Sequence, residues 1–339
     1  MNITCSYDGC TVAETEICVL DNAPESCPNR ITMMAVPNST STPEAWDALN
    51  PGDVVLPSPG EYRSFPASTT LGPEAVNSLM RRRYVTVVGI LGEPESGKTA
   101  ALVSLYLLIA NAKLAGWSYA DSQSLLAFED IARGSRQWNS GAPPEQMTVH
   151  THLADERSPG FLHLRLRRDL DGKHIDFALP DLPGEWTTDL LLSAKWERLE
   201  FLSSADVIWL VVDGRTLIDR GRRQMVTVRL GQLAGRLKAC MPEGVPRLLL
   251  VVTHRDVGAV PRETVDRIRG EFAKHEQQLE IIEIASFSKI TNAEGIKPGH
   301  GMVNLVERSI NSSADPFPFW PDGQSTNSQR SFLNFRREI

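Results

Sequence analysis

The sequence predicts an α/β sandwich: a mostly parallel sheet with one antiparallel hairpin strand, covered by helices on both faces. Three observations lead there. From Arg81 to about Ile310, short β-branched runs alternate with helical ones, the pattern of a layered α/β domain. Two runs, "DVIWLVV" and "RLLLVV", are almost continuously apolar, as strands covered on both faces are. A third, "VVGILGEPESGKTAALVSLY", leads from a strand through a glycine-rich loop into a helix.

In chain order, "YVTVVGI" (84–90) is the strand that enters the loop. "TAALVSLYLLIANAKLAG" is a helix with Leu102, Leu105 and Ile109 on one face and Gly116 as its stop. "SQSLLAFEDIARGSRQW" sets Leu125, Phe128 and Ile131 at helical spacing. "FLHLRLRR" and "HIDFALP" flank an Asp171-Gly172 turn and form a hairpin. "QLEIIEIA" is a last strand before a final helix, "GMVNLVERSI". Around this region, 81–310, composition sets apart a Cys-rich leader (1–30), a Pro/Ser/Thr-rich linker with little core of its own (31–80) and a polar tail (311–339). The tail's Phe317, Phe319 and Trp320 are its candidate docking residues.

The bulk composition is ordinary: 41% hydrophobic, 23% charged, net charge -7, sequence pI near 5.6. An acidic balance gives no reason to expect nucleic acid binding. "MNITCSYDGC" has neither a basic segment nor an apolar core of the secretory kind, and no apolar run reaches the length of a membrane span. The expected compartment is the cytoplasm. There, disulfides are disfavoured, so Cys5, Cys10, Cys18 and Cys27 are candidate zinc ligands: four thiolates satisfy a tetrahedral Zn²⁺. Their spacing lacks a C-x2-C knuckle, so a leader of unpaired thiols stands as the other reading.

The glycine-rich loop fits G-x-x-x-x-G-K-[ST] at Gly92, Gly97, Lys98 and Thr99. Between a strand and a helix this pattern cradles phosphates. The cradle comprises Gly92, Glu95, Ser96, Gly97, Lys98, Thr99 and Ala100. Its glycines let backbone N–H groups converge on an anion, and the helix N-terminus adds its dipole. Lys98 would reach the terminal phosphates and the Thr99 hydroxyl would ligate Mg²⁺. Pro94 removes one donor, and Glu93 and Glu95 must point outward to avoid repelling the phosphates.

Two further signals end strands. Asp181-Leu182-Pro183-Gly184 is a D-x-x-G: Asp181 can hold the Mg²⁺ shell through water, and the Gly184 N–H can meet a γ-phosphate. Thr253-His254-Arg255-Asp256 stands where GTPases carry N-K-x-D. Asp256 can accept from guanine N1–H and its 2-amino group, which adenine does not offer. After the last strand, Ser286 or a neighbour could offer a backbone N–H to guanine O6.

In this order the residues resemble the Ras-like, translation-factor-related class of P-loop GTPases over about 81–310, which implies a three-layer P-loop GTPase domain. "LPSPGEY", "RRRYVTVVGILGEPESGKTAALVSLY", "LLAFEDIARG", "FLHLRLR" and "DLPGEW" are similar, more narrowly, to the bacterial double-GTPase families. That likeness implies GTP hydrolysis in a multi-protein conflict or anti-phage system. The implied partners are a second GTPase, a GTPase-activating-like subunit and a MoxR-type AAA ATPase. Departures matter. Thr253 and His254 replace Asn and Lys, so guanine selectivity is expected but loosened. Glu185 stands where a water-orienting Gln is usual and is either catalytic or a helix-starting acid. Eighty-three residues separate Lys98 from Asp181, so the first switch is long. Its Mg²⁺-binding residue is read as Thr151, with Thr148 and Ser158 the alternatives. Arg133, Arg136 and Arg157 are arginine candidates only by proximity to it. The implied behaviour is slow turnover raised by a partner, with loops at 145–160 and 182–195 ordered by the γ-phosphate. The alternatives are a GTP-binding scaffold without hydrolysis, or an ATPase.

Overall fold

A computed structural model describes residues 67–136, 148, 159–288 and 295–310, together with scattered positions between 4 and 31. The chain divides into two compact units, Met1–Ser64 and Phe65–Ile339. In the first, β1 (Thr4–Cys5) and β2 (Arg30–Ile31) form an antiparallel pair, Cys5 opposite Arg30.

The second unit begins its described part with a helix that composition concealed. Residues 67–80 belong to the stretch read as linker, yet α1 (Pro73–Met80) forms there, with Pro73 at its first position, where a missing N–H costs nothing. Val76 and Leu79 pack one turn apart on Val85, Val87, Phe161 and Ala178.

Seven strands follow. β3 (Val85–Leu91) runs into the glycine-rich loop and α2 (Lys98–Ala110) leaves it. β4 (Trp117–Asp121) and α3 (Leu125–Ile131) come next, with a 3-10 turn at Arg133–Arg136. β5 (Phe161–Arg168) and β6 (His174–Pro180) make the hairpin, and α4 (Gly184–Ser193) follows. β7 (Val207–Asp213) leads into the short α5 (Gly214–Ile218) and the long α6 (Arg223–Cys240). β8 (Arg247–Thr253), α7 (Arg262–Ala273), β9 (Leu279–Glu283) and α8 (Met302–Ile310) complete the unit.

The sheet order is β4-β5-β6-β3-β7-β8-β9. β5 runs antiparallel to both neighbours, and the other described pairings in this sheet are parallel. Helices cover both faces. On one, Leu102, Leu105 and Ile109 of α2, Phe128 of α3 and Leu305 of α8 bury against Val88, Ile90, Trp209 and Val251. On the other, Leu190 of α4, Leu233 and Leu237 of α6 and Phe272 of α7 bury against Ile208, Leu210 and Leu250. Each such side chain contributes about 1.5–3 kcal/mol. α2 buries residues on nearly every side, which is why its sequence is apolar almost throughout. This core carries β3, β6, β7, β8 and β9 to one end of the sheet, where the strand-end loops gather.

Three expectations change. α2 stops at Ala110, where the Asn111 amide caps the Leu107 carbonyl at 2.8 Å. Gly116, at φ +79, instead opens the unforeseen β4. Leu125 lies on the exposed side of α3 while Phe128 is fully buried. The stretch expected as a second mobile loop, 182–195, is largely the helix α4.

Candidate nucleotide site

The phosphate loop is built by its glycines. Gly97 sits at φ +97, a conformation side chains resist. A methyl group on Gly92 would stand 2.5 Å from the Val211 carbonyl. α2 starts at Lys98 with no side-chain hydrogen bond at its N-cap, which leaves first-turn N–H groups for an anion. Lys98 is buried, and its Nζ donates to the carbonyls of Gly92 (2.9 Å) and Glu93 (3.1 Å). Burial pushes its pKa down to about 8, with Asp181, Glu185 and Glu93 opposing that fall.

Thr99 and Asp181 meet: the hydroxyl donates to Oδ1 at 3.0 Å. Asp181 ends just beyond β6 and is almost wholly buried. Two oxygens so placed suit Mg²⁺, which takes few protein ligands and completes its octahedron with phosphate and water. Gly184 begins α4 hard against the loop, where an added methyl would stand 2.2 Å from Pro94 N. Glu185 is exposed in the first turn of α4 and lies within electrostatic reach of Lys98. One turn on, Thr187 Oγ1 accepts the Gly92 N–H at 3.0 Å. Sequence reasoning missed Thr187, since nothing in "GEWTTD" shows that its hydroxyl turns to the loop.

The loop after β8 joins the same end. Thr253 Oγ1 donates to the Ser96 carbonyl (2.9 Å), with the Val212 carbonyl at 3.2 Å. Thr253 therefore bonds the phosphate loop directly. His254 sits at φ +58, its Nδ1 2.9 Å from Thr253 Oγ1 and 3.2 Å from Asp213 Oδ1. Asp213 is a second residue the sequence did not announce. Burial raises its pKa, but hydrogen bonds from His254 and Arg215 hold it well below the usual carboxylate range. Arg255 pairs with Glu283 at 2.7 Å, and the neighbouring Asp256 is partly buried.

Three buried polar atoms here have no hydrogen-bond partner among the described residues: Ser96 Oγ, Asp256 Oδ1 and Ser286 Oγ. An orphaned buried oxygen costs about 1–3 kcal/mol, so a ligand offering donors fits this end. The Ser286 carbonyl is tied to the Ser104 hydroxyl at 3.0 Å, which fixes that loop on α2.

A third unforeseen residue is Arg229 of α6, whose Nη1 lies 2.6 Å from Glu93 Oε1. No local motif marks it, because it is brought to the phosphate loop only by packing. Arg133, one of the expected arginine candidates, pairs with Asp130 at 2.6 Å. Thr148 is described at a single position, and Thr151, Arg157, Ser158 and the tail aromatics lie outside the described residues. A cavity of about 320 Å³ beside the loop is lined by Glu93, Pro94, Thr187, Val226, Arg229 and Leu230, among others.

In the first unit, Cys5 and Cys10 are hydrogen-bonding neighbours and Cys5 Sγ also accepts the Tyr7 N–H at 3.5 Å. Cys18 is buried, and the described cysteines form no disulfide. Among the described residues no three His, Cys, Asp or Glu side chains form a group able to hold a metal ion. The expected four-thiolate zinc site is not assembled there. No helix among the described residues is long and apolar enough to cross a membrane.

Residues 86–311 match the protein family described as Double-GTPase 2. No curated protein compared with the chain matches it. Among solved structures, it is similar to the signal recognition particle receptor SRb-GTP/SRX complex from Chaetomium thermophilum. Identity is 14% over 66% of this chain and 96% of that one, with a TM-score of 0.38. A GTP-binding protein from Sulfolobus solfataricus in complex with GDP is 13% identical over 70% of this chain and 56% of that one, TM-score 0.35. The cytosolic domain of the T. maritima FeoB iron transporter, in its GMPPNP form, is 16% identical over 67% and 63%, TM-score 0.27.

Proposed function

The chain belongs to the Double-GTPase 2 family, and from that premise we propose that it is a GTP-dependent switch that hydrolyses GTP to GDP and phosphate. One observation carries the reading. At a single end of the sheet, the Thr99–Asp181 contact stands beside a buried phosphate-loop lysine and an unpartnered Asp256 oxygen.

Asp256 accepts from guanine N1–H and the 2-amino group, the Ser286 loop faces O6, and His254 covers the base. Lys98 and the first N–H groups of α2 hold the β- and γ-phosphates. Mg²⁺, when bound, supplies neutralisation of the phosphate charge; Thr99 and Asp181 would hold it, with Thr151 the third residue we assign. Water attacks the γ-phosphorus in line, and the bond to the bridging oxygen of GDP breaks. Lys98 and the loop N–H groups stabilise the charge of the transferring phosphoryl. Glu185, at the start of α4, orients the water by accepting a hydrogen bond from it. It offers no donor to the phosphoryl, which supports slow turnover alone.

The family's resemblance to double-GTPase conflict systems supports activation in an assembly, with a second GTPase and a GTPase-activating-like subunit as partners. Single-turnover hydrolysis of bound GTP tests this. The protein alone should turn over on the order of 10⁻⁴ s⁻¹, and an activator that adds an arginine should raise that about 10³-fold or more. A rate near ~1 s⁻¹ without a partner would mean a complete, autonomous site. No cleavage with any candidate partner would leave a GTP-binding scaffold.

A further inference from the structure

The phosphate loop "GEPESGKT" carries two acids inside a cradle meant for anions. The first of them is answered by an arginine from the segment after β7. Arg229 of α6 pairs with Glu93 at 2.6 Å. Arg215 of α5 donates its hydrogen bonds to the Asp213 carboxylate, with Glu95 and Asp256 acting on it only through space. The Glu93 carbonyl meanwhile accepts from Lys98 Nζ at 3.1 Å. The residue that seats the lysine is therefore the one whose carboxylate must be kept out.

We propose that Arg229 is a positioning residue for nucleotide binding: it holds the Glu93 carboxylate outside the cradle and cancels its charge, so that a polyphosphate can enter. This rests on the GTP-binding reading. An ordinary ion pair with both side chains about two-fifths exposed, here 41% and 38%, adds little to stability. Its effect lies in the field at the phosphates. Without Arg229, the Glu93 carboxylate is free to turn toward the loop, beside the two or three negative phosphates it would face. Arg229 need not touch the nucleotide for this.

The test measures affinity for a fluorescent GTP analogue and, separately, for inorganic tripolyphosphate. The proteins are the wild type, Arg229→Gln, Arg229→Lys, Glu93→Gln and the double variant Glu93→Gln/Arg229→Gln. Arg229→Gln should weaken both probes about tenfold at about 50 mM salt, and less at about 0.5 M, where such charges are screened. Arg229→Lys should stay near wild type. The double variant should bind as well as Glu93→Gln, since no charge remains to be held. Wild-type binding by Arg229→Gln, or a double variant as weak as Arg229→Gln, overturns the proposal. The second result would make Arg229 a packing prop or a direct ligand. Tripolyphosphate binding without guanine-nucleotide binding would sink the GTP reading while leaving the Arg229 comparison intact. A wild type that binds neither probe overturns both.

Discussion

Replacing Lys98 by methionine should stabilise the nucleotide-free protein while abolishing nucleotide binding. Lys98 is buried in the loop, and its pKa falls from 10.5 to about 8. That fall corresponds to about 3 kcal/mol of unfavourable charge burial at neutral pH. Its two hydrogen bonds to carbonyls, at about 1 kcal/mol each, offset most of this in the substitution. Methionine keeps the stem's packing, so a net gain of about 1 kcal/mol remains. The pH dependence is sharper. Between pH 8 and 10.5 the native state has released the Lys98 proton and the unfolded state has not, so wild-type stability rises with pH across that window. Below it both states are protonated and the penalty is constant. Denaturant unfolding of both proteins without nucleotide, from neutral pH to about 10.5, reads this directly. Lys98→Met should be the more stable at pH 7, with its lead shrinking as pH climbs. A variant less stable by about 1 kcal/mol, or a lead that does not shrink, would refute the view that an ammonium is held there at a cost.

Asp256→Asn should weaken GTP binding by tenfold or more, on the order of a lost charge-assisted pair, and admit xanthine nucleotide. Equal wild-type affinity for ATP and GTP would remove Asp256 from the base-reading role. Gly184→Ala should push the start of α4 off Pro94, given the 2.2 Å approach; hydrolysis should fall by more than GDP affinity, and equal losses would count against a γ-phosphate role. Thr187→Val removes the acceptor of the Gly92 N–H and should cost about 1–3 kcal/mol of stability by denaturation; no loss would show that another group takes its place.

The parts of the site that lie at strand ends were legible, because a glycine-rich loop, D-x-x-G and T-x-x-D are each local patterns. Thr253 fits its substitution for asparagine because the bond to the Ser96 carbonyl needs only a short donor. What packing supplies was not legible. Arg229 and Thr187 reach the loop from helices whose own sequence only requires an apolar face. β4 was missed because "WSYAD" is an edge strand, polar where it meets water, and so lacks the apolar run that betrays central strands. α1 hid in a Pro/Ser/Thr-rich stretch that composition assigns to linkers; its two core contacts, Val76 and Leu79, are too few to show as periodicity.

Thr253 ties the loop that would read the base to the loop that would hold the phosphates, through one hydroxyl placed against Ser96 and Val212. A methyl on Gly97 would meet its side chain at 3.0 Å, so the two loops are also in steric contact. The loop proposed to read the base and the loop proposed to hold the phosphates are thus fastened to one another. A nucleotide whose base has docked presents its phosphates at high effective concentration, with little further ordering to be done. Guanosine and triphosphate supplied as separate molecules should each bind far more weakly than their joined form, by more than their separate affinities would multiply to. A shorter or longer tether between base and phosphate should lose most of that gain, because the two loops are joined through Thr253.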